Sequence, residues 1–287
     1  MAIFKKPAFQ SESKKRELPE GLWQKCPSCG EIIHHLALTE NQRVCPKCDH
    51  HFTQTARERL SHLLDPDSFE EQDAGMMSVD TLNFKGAATY ADRLKSYQKK
   101  TGLNDAVITG VGSILGQKVA IAVMDFEFIA ATMGSVVGEK LARTVERGTR
   151  ERLPVIIISA SGGARMYEGL LSLMQMAKTC GALALHAQAR LPYISVMTHP
   201  TTGGVSASFA TVGDVNLAEP KAMIGFAGPR VIRETTHQDL PANFQTAEFL
   251  EERGLIDFIV HRKKMRAVLA DLIRYFTPHA DATPAAQ

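Results

Sequence analysis

With 287 residues and 44% of them apolar, the chain can bury a large core, enough for one main domain and a small appendage. Its 33 basic and 31 acidic side chains leave a formal charge of +2, so no global field recruits nucleic acid or a membrane surface. The first residues carry two lysines but no apolar stretch of about 7 or more behind them, and nowhere is there an uncharged apolar run of about 18; a cytoplasmic protein without a membrane span is the expectation.

Residues 1–22 are polar and rich in charge, with Lys5, Lys6, Lys14, Lys15 and Arg16 set against Glu12, Glu17 and Glu20, and they show neither helical nor strand periodicity. They read as a flexible basic arm. Residues 23–53 hold four of the five cysteines in two CxxC pairs: Cys26-Pro27-Ser28-Cys29, fifteen intervening residues, then Cys45-Pro46-Lys47-Cys48. That spacing suits metal binding in a reducing compartment better than a disulfide framework. Each pair turns two thiolates onto one cation, and four thiolates complete a zinc tetrahedron without help from His34, His35, His50 or His51. A filled tetrahedron leaves no open position for substrate, so one structural Zn²⁺ per chain is expected on Cys26, Cys29, Cys45 and Cys48.

Residues 54–105 read as connecting helices. The first opens on a capping box from Thr55 to Glu58 and stops at Asp65-Pro66; the second, exposed, runs near 89–100 and is closed by Gly102. From 106 to 277 the character changes. GSILGQKVAIAVMDFEFIA predicts two β runs around a Gly-Gln turn, GSVVGEKLARTVERGTRERL a helix, and PVIIISA a fully apolar strand. Gly162-Gly163 follows, and then a helix over about 165–187 whose apolar face carries Met166, Leu170, Met174, Ala177, Cys180 and Ala184. Cys180 on that face reads as a buried structural thiol.

The unit then recurs as strand LPYISVMT, a turn over 200–204 and a small-residue helix VSASFATVG, with further strands at DVNLAEP and KAMIGFAG. The last helix, KKMRAVLADLIRYF, presents Met265, Val268, Leu269, Leu272, Ile273 and Phe276 on one face, and a Pro/Ala tail over 278–287 ends the chain. Continuous apolar strands alternating with helices indicate an α/β fold with a mainly parallel sheet covered on both faces.

The two glycine turns, Ser161-Gly162-Gly163-Ala164-Arg165 and Thr201-Thr202-Gly203-Gly204-Val205, each follow a buried strand and open a helix, where backbone N–H groups lack intrahelical acceptors. Such a turn can cradle a phosphate, hold a developing oxyanion, or simply pack strand against helix. Neither turn fits GxxxxGK[ST] or GxGxxG. Ser161 lies in SASGG rather than a GxSxG elbow, with no paired base in the sequence. His199 beside the second turn is the main competing base.

SASGGARM, SLMQMAKT, LPYISVMTHPTTGGVSASFA, NLAEPKA, IGFAGPRVI, CPSCG and CPKCDHH together resemble the zinc-ribbon-containing β subunits of the bacterial and plastid acetyl-CoA carboxylase carboxyltransferase family, from about residue 20 to 276. The resemblance implies a crotonase-like ββα superhelix with an N-terminal zinc ribbon. It implies transfer of a carboxyl group from carboxybiotin, borne on a biotin carboxyl carrier protein, to acetyl-CoA, giving malonyl-CoA for fatty acid synthesis. It assigns oxyanion stabilisation to the amides of Gly163, Ala164, Gly203 and Gly204, and cofactor binding to Gly162 and Arg165.

The partners it implies are a carboxyltransferase α subunit in an α₂β₂ assembly, the carrier protein, and biotin carboxylase in the larger complex. Arg262, Lys263, Lys264 and Arg266 offer point charges to CoA phosphates or form a solvated helix end. Tyr167 and Glu168 read as ordinary helical positions. Another acyl-CoA enzyme of the same fold fits less well, since the ribbon argues against it, while ribbon and basic arm together also fit a nucleic-acid contact.

Overall fold

The computed structural model describes residues 22–276, so the predicted arm before Leu22 and the tail over 278–287 lie outside the described residues. The N-terminal module is a small antiparallel hairpin, β1 (Trp23–Lys25) and β2 (Ile32–His34), followed by α1 (His35–Glu40). Its own core is slight: Ile33, Leu38 and Phe52 packed against Cys26 and Cys45. So little apolar burial does not hold a fold of this size without a staple.

α2 (Ala56–Leu63) begins with the expected capping box, Thr55 Oγ1 accepting from the Glu58 N–H and the Glu58 carboxylate accepting from the Thr55 N–H. After β3 (Glu70–Gln72) comes α3 (Tyr90–Thr101), capped by Thr89 and ended by Gly102 at φ 70°. Its first residue, Tyr90, is fully buried, so this helix is only partly exposed.

The main sheet is built from β3, the hairpin β4 (Val107–Ile114) and β5 (Gln117–Met124), then β6 (Val155–Ser161), β7 (Tyr193–Thr202), β8 (Val215–Ala218) and, at the far edge, β10 (Phe258–Ile259), with the two-residue β9 (Ile224–Gly225) beside the end of β7. β3, β4 and β5 pair antiparallel, and β5 through β8 and β10 pair parallel. The connecting helices are α4 (Ser135–Glu151), α5 (Leu170–Gln188), α6 (Gly203–Ser206), α7 (Pro229–Thr236), α8 (Ala247–Glu251) and α9 (Arg262–Phe276).

Both faces of the sheet are covered, as the run of consecutive buried residues over 119–124 requires. Gly112 faces Leu64 just past α2, and its cross-strand partner Val119 shares that face. Gln117, two residues before it, donates to the Ala270 carbonyl of α9. Ala120, on the alternate face, meets Gly148 of α4. Thus α2 and α9 cover one side and α4, with α5 packed against it, the other.

Three expectations are corrected here. α5 starts at Leu170 rather than near 165, because Gly169 at φ 53°, ψ −128° separates it from a single 3₁₀ turn over 166–168. Its face is also reversed: Ser172, Gln175, Thr179, Ala182, Leu183 and His186 are buried, while Met166, Leu170 and Met174 are exposed. Ser172 Oγ bonds the Arg165 carbonyl, Thr179 Oγ1 the Gln175 carbonyl and His186 Nδ1 Thr149 Oγ1, while among the described residues Gln175 bonds only through Nε2, to the Leu171 carbonyl. The second turn differs too, since β7 continues through Thr202 and α6 lasts only four residues.

One buried carboxylate fastens the zinc module to this body. Glu219 follows β8 and accepts from Arg59 Nη1 of α2 at 2.7 Å and from Arg262 Nε and Nη2 of α9 at 2.8 and 2.6 Å. Arg262 Nη1 also donates to the Gln42 carbonyl of the N-terminal module at 3.0 Å, and His51 Nδ1 stands 3.6 Å from Glu219. Burial pushes the Glu219 carboxyl up, yet the Arg59 and Arg262 guanidiniums outweigh it and hold the group well below its ordinary value of 4.5.

Removing one partner from such a cluster leaves uncompensated buried charge. Glu219→Gln is therefore expected to lose about 3–5 kcal/mol in denaturant unfolding. A depressed carboxyl contributes stability that is complete above its unfolded pKa and lost only as pH falls through its folded one. Unfolding measured from pH 7 downward should show wild type keeping this contribution to below pH 4.5, and the variant lacking that acid-sensitive component.

Candidate active site

The four cysteines form one cage. Cys26 Sγ is 3.7 Å from Cys48 Sγ, Cys29 Sγ is 3.7 Å from Cys45 Sγ, and all four sulfurs lie within 4.8 Å of one another. Thiolates at a Zn–S distance of about 2.3 Å around a tetrahedron stand about 3.8 Å apart, so the cage fits zinc. The backbone turns each knuckle inward, the Gly30 N–H donating to the Cys26 carbonyl and the Asp49 N–H to the Cys45 carbonyl.

The neighbouring histidines are used elsewhere. His34 Nδ1 caps α1 by accepting the Leu36 N–H, His50 stacks edge-on to Phe52, and His51 is buried beside Glu219. The zinc that fits here supplies no chemistry to a substrate.

At the carboxyl ends of β6 and β7, the end of the sheet on which His51 and Phe52 of the cysteine module also stand, the two glycine turns meet. Parallel pairing of β6 with β7 is displaced after Ser159, bringing Ser161 opposite Thr201. Gly163 at φ 108° and Gly203 at φ 62° then touch backbone to backbone: a Cβ on Gly203 would lie 2.9 Å from Gly163 Cα. Only glycine satisfies both the left-handed backbone and the contact.

Among the amides proposed from sequence, the Gly163 N–H donates to Ser161 Oγ at 3.0 Å and the Gly203 N–H to the Phe226 carbonyl at 3.1 Å; the N–H of Gly162, expected to bind cofactor, donates to the Ala130 carbonyl at 2.8 Å. The amides of Ala164 and Gly204 have no acceptor among the described residues. They are neighbours, with a Cβ on Gly204 falling 3.8 Å from Ala164 Cβ and 3.0 Å from Met176 Sδ.

Ser161 is not a free nucleophile, because its hydroxyl donates to the Ala131 carbonyl at 2.7 Å while receiving the Gly163 amide. His199 is exposed, and its Nδ1 accepts the Met223 N–H at 3.1 Å.

Arg165 departs from the cofactor-binding expectation: it is fully buried and its guanidinium is bidentate to Asp105, Nη2 to Oδ1 at 2.7 Å and Nη1 to Oδ2 at 3.0 Å. Ser78, Tyr90 and the Thr132 carbonyl take its remaining donors. Burial pushes the Asp105 carboxyl up, but the Arg165 charge prevails and lowers it. Glu168 is buried as well, accepting the Ser135 N–H at the start of α4 and the Tyr90 hydroxyl, and Tyr167 stacks on Tyr90.

Of the basic cluster, Arg262 serves Glu219, Lys263 serves Asn41 and Arg266 serves Asp65, so three of the four are engaged within the fold. Cys180 is half-buried, its thiol pushed up by burial. The residues missed from sequence are Ser78, Tyr90 and Asp105, whose convergence on Arg165 across 60 to 87 positions leaves no local signal. No helix among the described residues is long and apolar enough to cross a membrane.

Two known families match this arrangement. Residues 51–283 match the Carboxyl transferase domain and residues 23–48 the Acetyl-CoA carboxylase zinc finger domain. The acetyl-coenzyme A carboxylase carboxyl transferase subunit beta of Methylacidiphilum infernorum is 54% identical over 95% of this chain and 98% of its own, and that of Citrifermentans bemidjiense 52% identical over the same shares. The chain belongs to the acetyl-CoA carboxylase carboxyltransferase β-subunit family.

It is accordingly a transferase subunit, acting in the carboxyl transfer that forms malonyl-CoA. Among solved structures, a transcarboxylase 12S with methylmalonyl-coenzyme A and methylmalonic acid bound is similar with a TM-score of 0.67 and 31% identity; the match covers 79% of this chain and 41% of that one. A Pseudomonas malonate decarboxylase heterodimer is similar in fold at TM-score 0.59 and 21% identity, over 79% of this chain and 88% of that one. The crotonase-like carboxyltransferase fold read from the sequence is thereby supported.

For the zinc centre the expected outcome is one zinc per chain by elemental analysis. Chelation under native conditions should raise hydrogen exchange across residues 22–53 while strands β4 to β7 stay protected; a metal-free preparation with an intact ribbon would contradict the structural role.

Proposed function

We propose that the amides of Ala164 and Gly204 hold the negative charge that develops on the acetyl-CoA thioester oxygen during carboxyl transfer. Uncommitted N–H donors on two touching turns are what carry this reading: they are preorganised by the glycine contact and need no rearrangement as charge appears. Gly163 and Gly203, whose own amides are spent internally, set the backbone path and are not donors. Carboxybiotin on a separate carrier protein supplies the carboxyl group. This chain contributes polarisation of the acyl oxygen, which acidifies the methyl carbon, while its buried Ser161 hydroxyl keeps the first turn in shape.

The partner in this reading is a carboxyltransferase α subunit. Its support is the apolar surface beside the first turn: Met166, Leu170, Leu171, Leu173 and Met174 are 43–79% exposed in a line along the 3₁₀ turn and the start of α5. An apolar patch of that kind on a soluble face marks an interaction site. It lies next to the amide-bearing turn, so a docked subunit would close the site against water and add the surface for the carrier-borne cofactor.

With partner, carrier and acetyl-CoA supplied, Gly204→Pro, which deletes the amide hydrogen, should lower kcat by about 10²- to 10³-fold. Gly204→Ala keeps the donor and meets only the flexible end of Met176, so it should retain most activity; equal rates for the two variants would defeat the assignment. For the docking face, Leu170→Asp combined with Met174→Asp should leave the isolated chain folded and zinc-loaded, yet abolish co-elution with the α subunit and the activity that subunit restores.

A further inference from the structure

Arg165 adjoins the Ala164 amide, but its side chain is fully buried. Its main chain and its side chain grip the same short segment from two directions. The Met133 N–H donates to the Gly163 carbonyl at 2.8 Å and the Arg165 N–H to the Met133 carbonyl at 2.9 Å, so residues 163–165 are stapled to Met133 with the Ala164 N–H left pointing out of the pairing. The guanidinium then returns to the carbonyl of Thr132, the residue before Met133, through Nη2 at 2.9 Å.

Asp105 fixes that guanidinium with two bonds, and is itself fixed by the Ala106 N–H at 2.7 Å and the Ser78 hydroxyl at 2.6 Å. The Arg165 carbonyl is taken by Ser172 Oγ at 2.6 Å, at the start of α5. The whole residue is fully buried.

We propose that Arg165 is a positioning residue for carboxyl transfer, its Asp105-anchored guanidinium cross-bracing the 132–133 segment so that the Ala164 amide is held at a fixed distance and angle. This rests on the reading of Ala164 as an oxyanion donor. Lysine cannot replace the brace: an ammonium reaches Asp105 as a point charge but has no planar fork to serve both carboxylate oxygens and the Thr132 carbonyl together.

The test uses the complete complex of this chain with α subunit, carboxylated carrier and acetyl-CoA, and compares wild type, Arg165→Lys, Ala164→Pro and the double variant. Arg165→Lys is expected to lower kcat by about 10- to 100-fold, the range for a reacting group displaced by about 1 Å, with KM for acetyl-CoA changed less than about 2-fold. If Arg165 acts through Ala164, adding Arg165→Lys to Ala164→Pro should cost little more, since the donor it positions is already gone. Should Arg165→Lys not fold, Ser78→Ala, which loosens the same guanidinium from one side, takes its place in the cycle with a smaller loss of the same kind.

Multiplicative losses in the double variant, or a lowered melting temperature with unchanged kcat, would overturn the positioning role. An Ala164→Pro enzyme with undiminished turnover would instead overturn the oxyanion reading on which it rests.

Discussion

The proposed site depends on a backbone contact: Gly163 and Gly203 meet at the ends of adjacent parallel strands at a distance that excludes any side chain. β6 and β7 are held side by side from Val155/Tyr193 onward, but the register slips after Ser159, so both strands break into turns at one level and the turns press together. The contact commits the Gly163 and Gly203 amides inward, to Ser161 Oγ and the Phe226 carbonyl. What it leaves outward are the amides one residue later. A site that works by holding charge on backbone donors has few adjustable parts, and its efficiency depends on how little those donors move.

That requirement accounts for where the buried charge is spent. Arg165 with Asp105 lies under the first turn, and Glu219 with Arg59 and Arg262 joins sheet, α9 and the zinc module. Apolar side chains of similar volume would stabilise as well or better, because desolvation consumes much of an ion pair's attraction. Guanidinium and carboxylate instead impose direction, with several bonds of fixed geometry on named carbonyls, which non-directional packing does not supply. The zinc module is pinned through Arg262 to the Gln42 and Arg43 carbonyls.

Much of this was legible in the sequence where the determining interactions are local. The CxxC spacing yields the sulfur cage, Thr55 and Glu58 the capping box, Gly102 the end of α3, and Gly116 the β4–β5 hairpin, whose turn is Leu115-Gly116 rather than Gly-Gln. The donor turns were found, but not which of their amides are free, since that depends on Ser161 folding back and on Phe226 arriving from the bend after β9. Periodicity located α5 and inverted it. Hydrophobic spacing cannot distinguish a core-facing stripe from an interface-facing one, and here serine and histidine face inward onto the Arg165 carbonyl and Thr149 of α4, while threonine and the glutamine amide nitrogen bond back to carbonyls of α5 itself. The role of Arg165 was hidden for a related reason: Asp105 and Ser78 are adjacent to it only after folding.

On the proposed reading, the inverted helix and the half-equipped site are one phenomenon. A chain that completed its own reaction chamber would turn the leucines and methionines of α5 into its core and cover its donor turn with its own residues. This one sets a polar face inward, at the cost of needing a bond for each buried group, and leaves Met166, Leu170, Leu171, Leu173 and Met174 outside, next to the Ala164 amide. Water at that surface would weaken a backbone donor acting on a developing oxyanion, because the donor's worth grows as the local dielectric falls. On the proposed reading, the exposed stripe supplies both the drive for a second subunit to bind and the dry surroundings that the two amides need, linking assembly to catalysis through a single face.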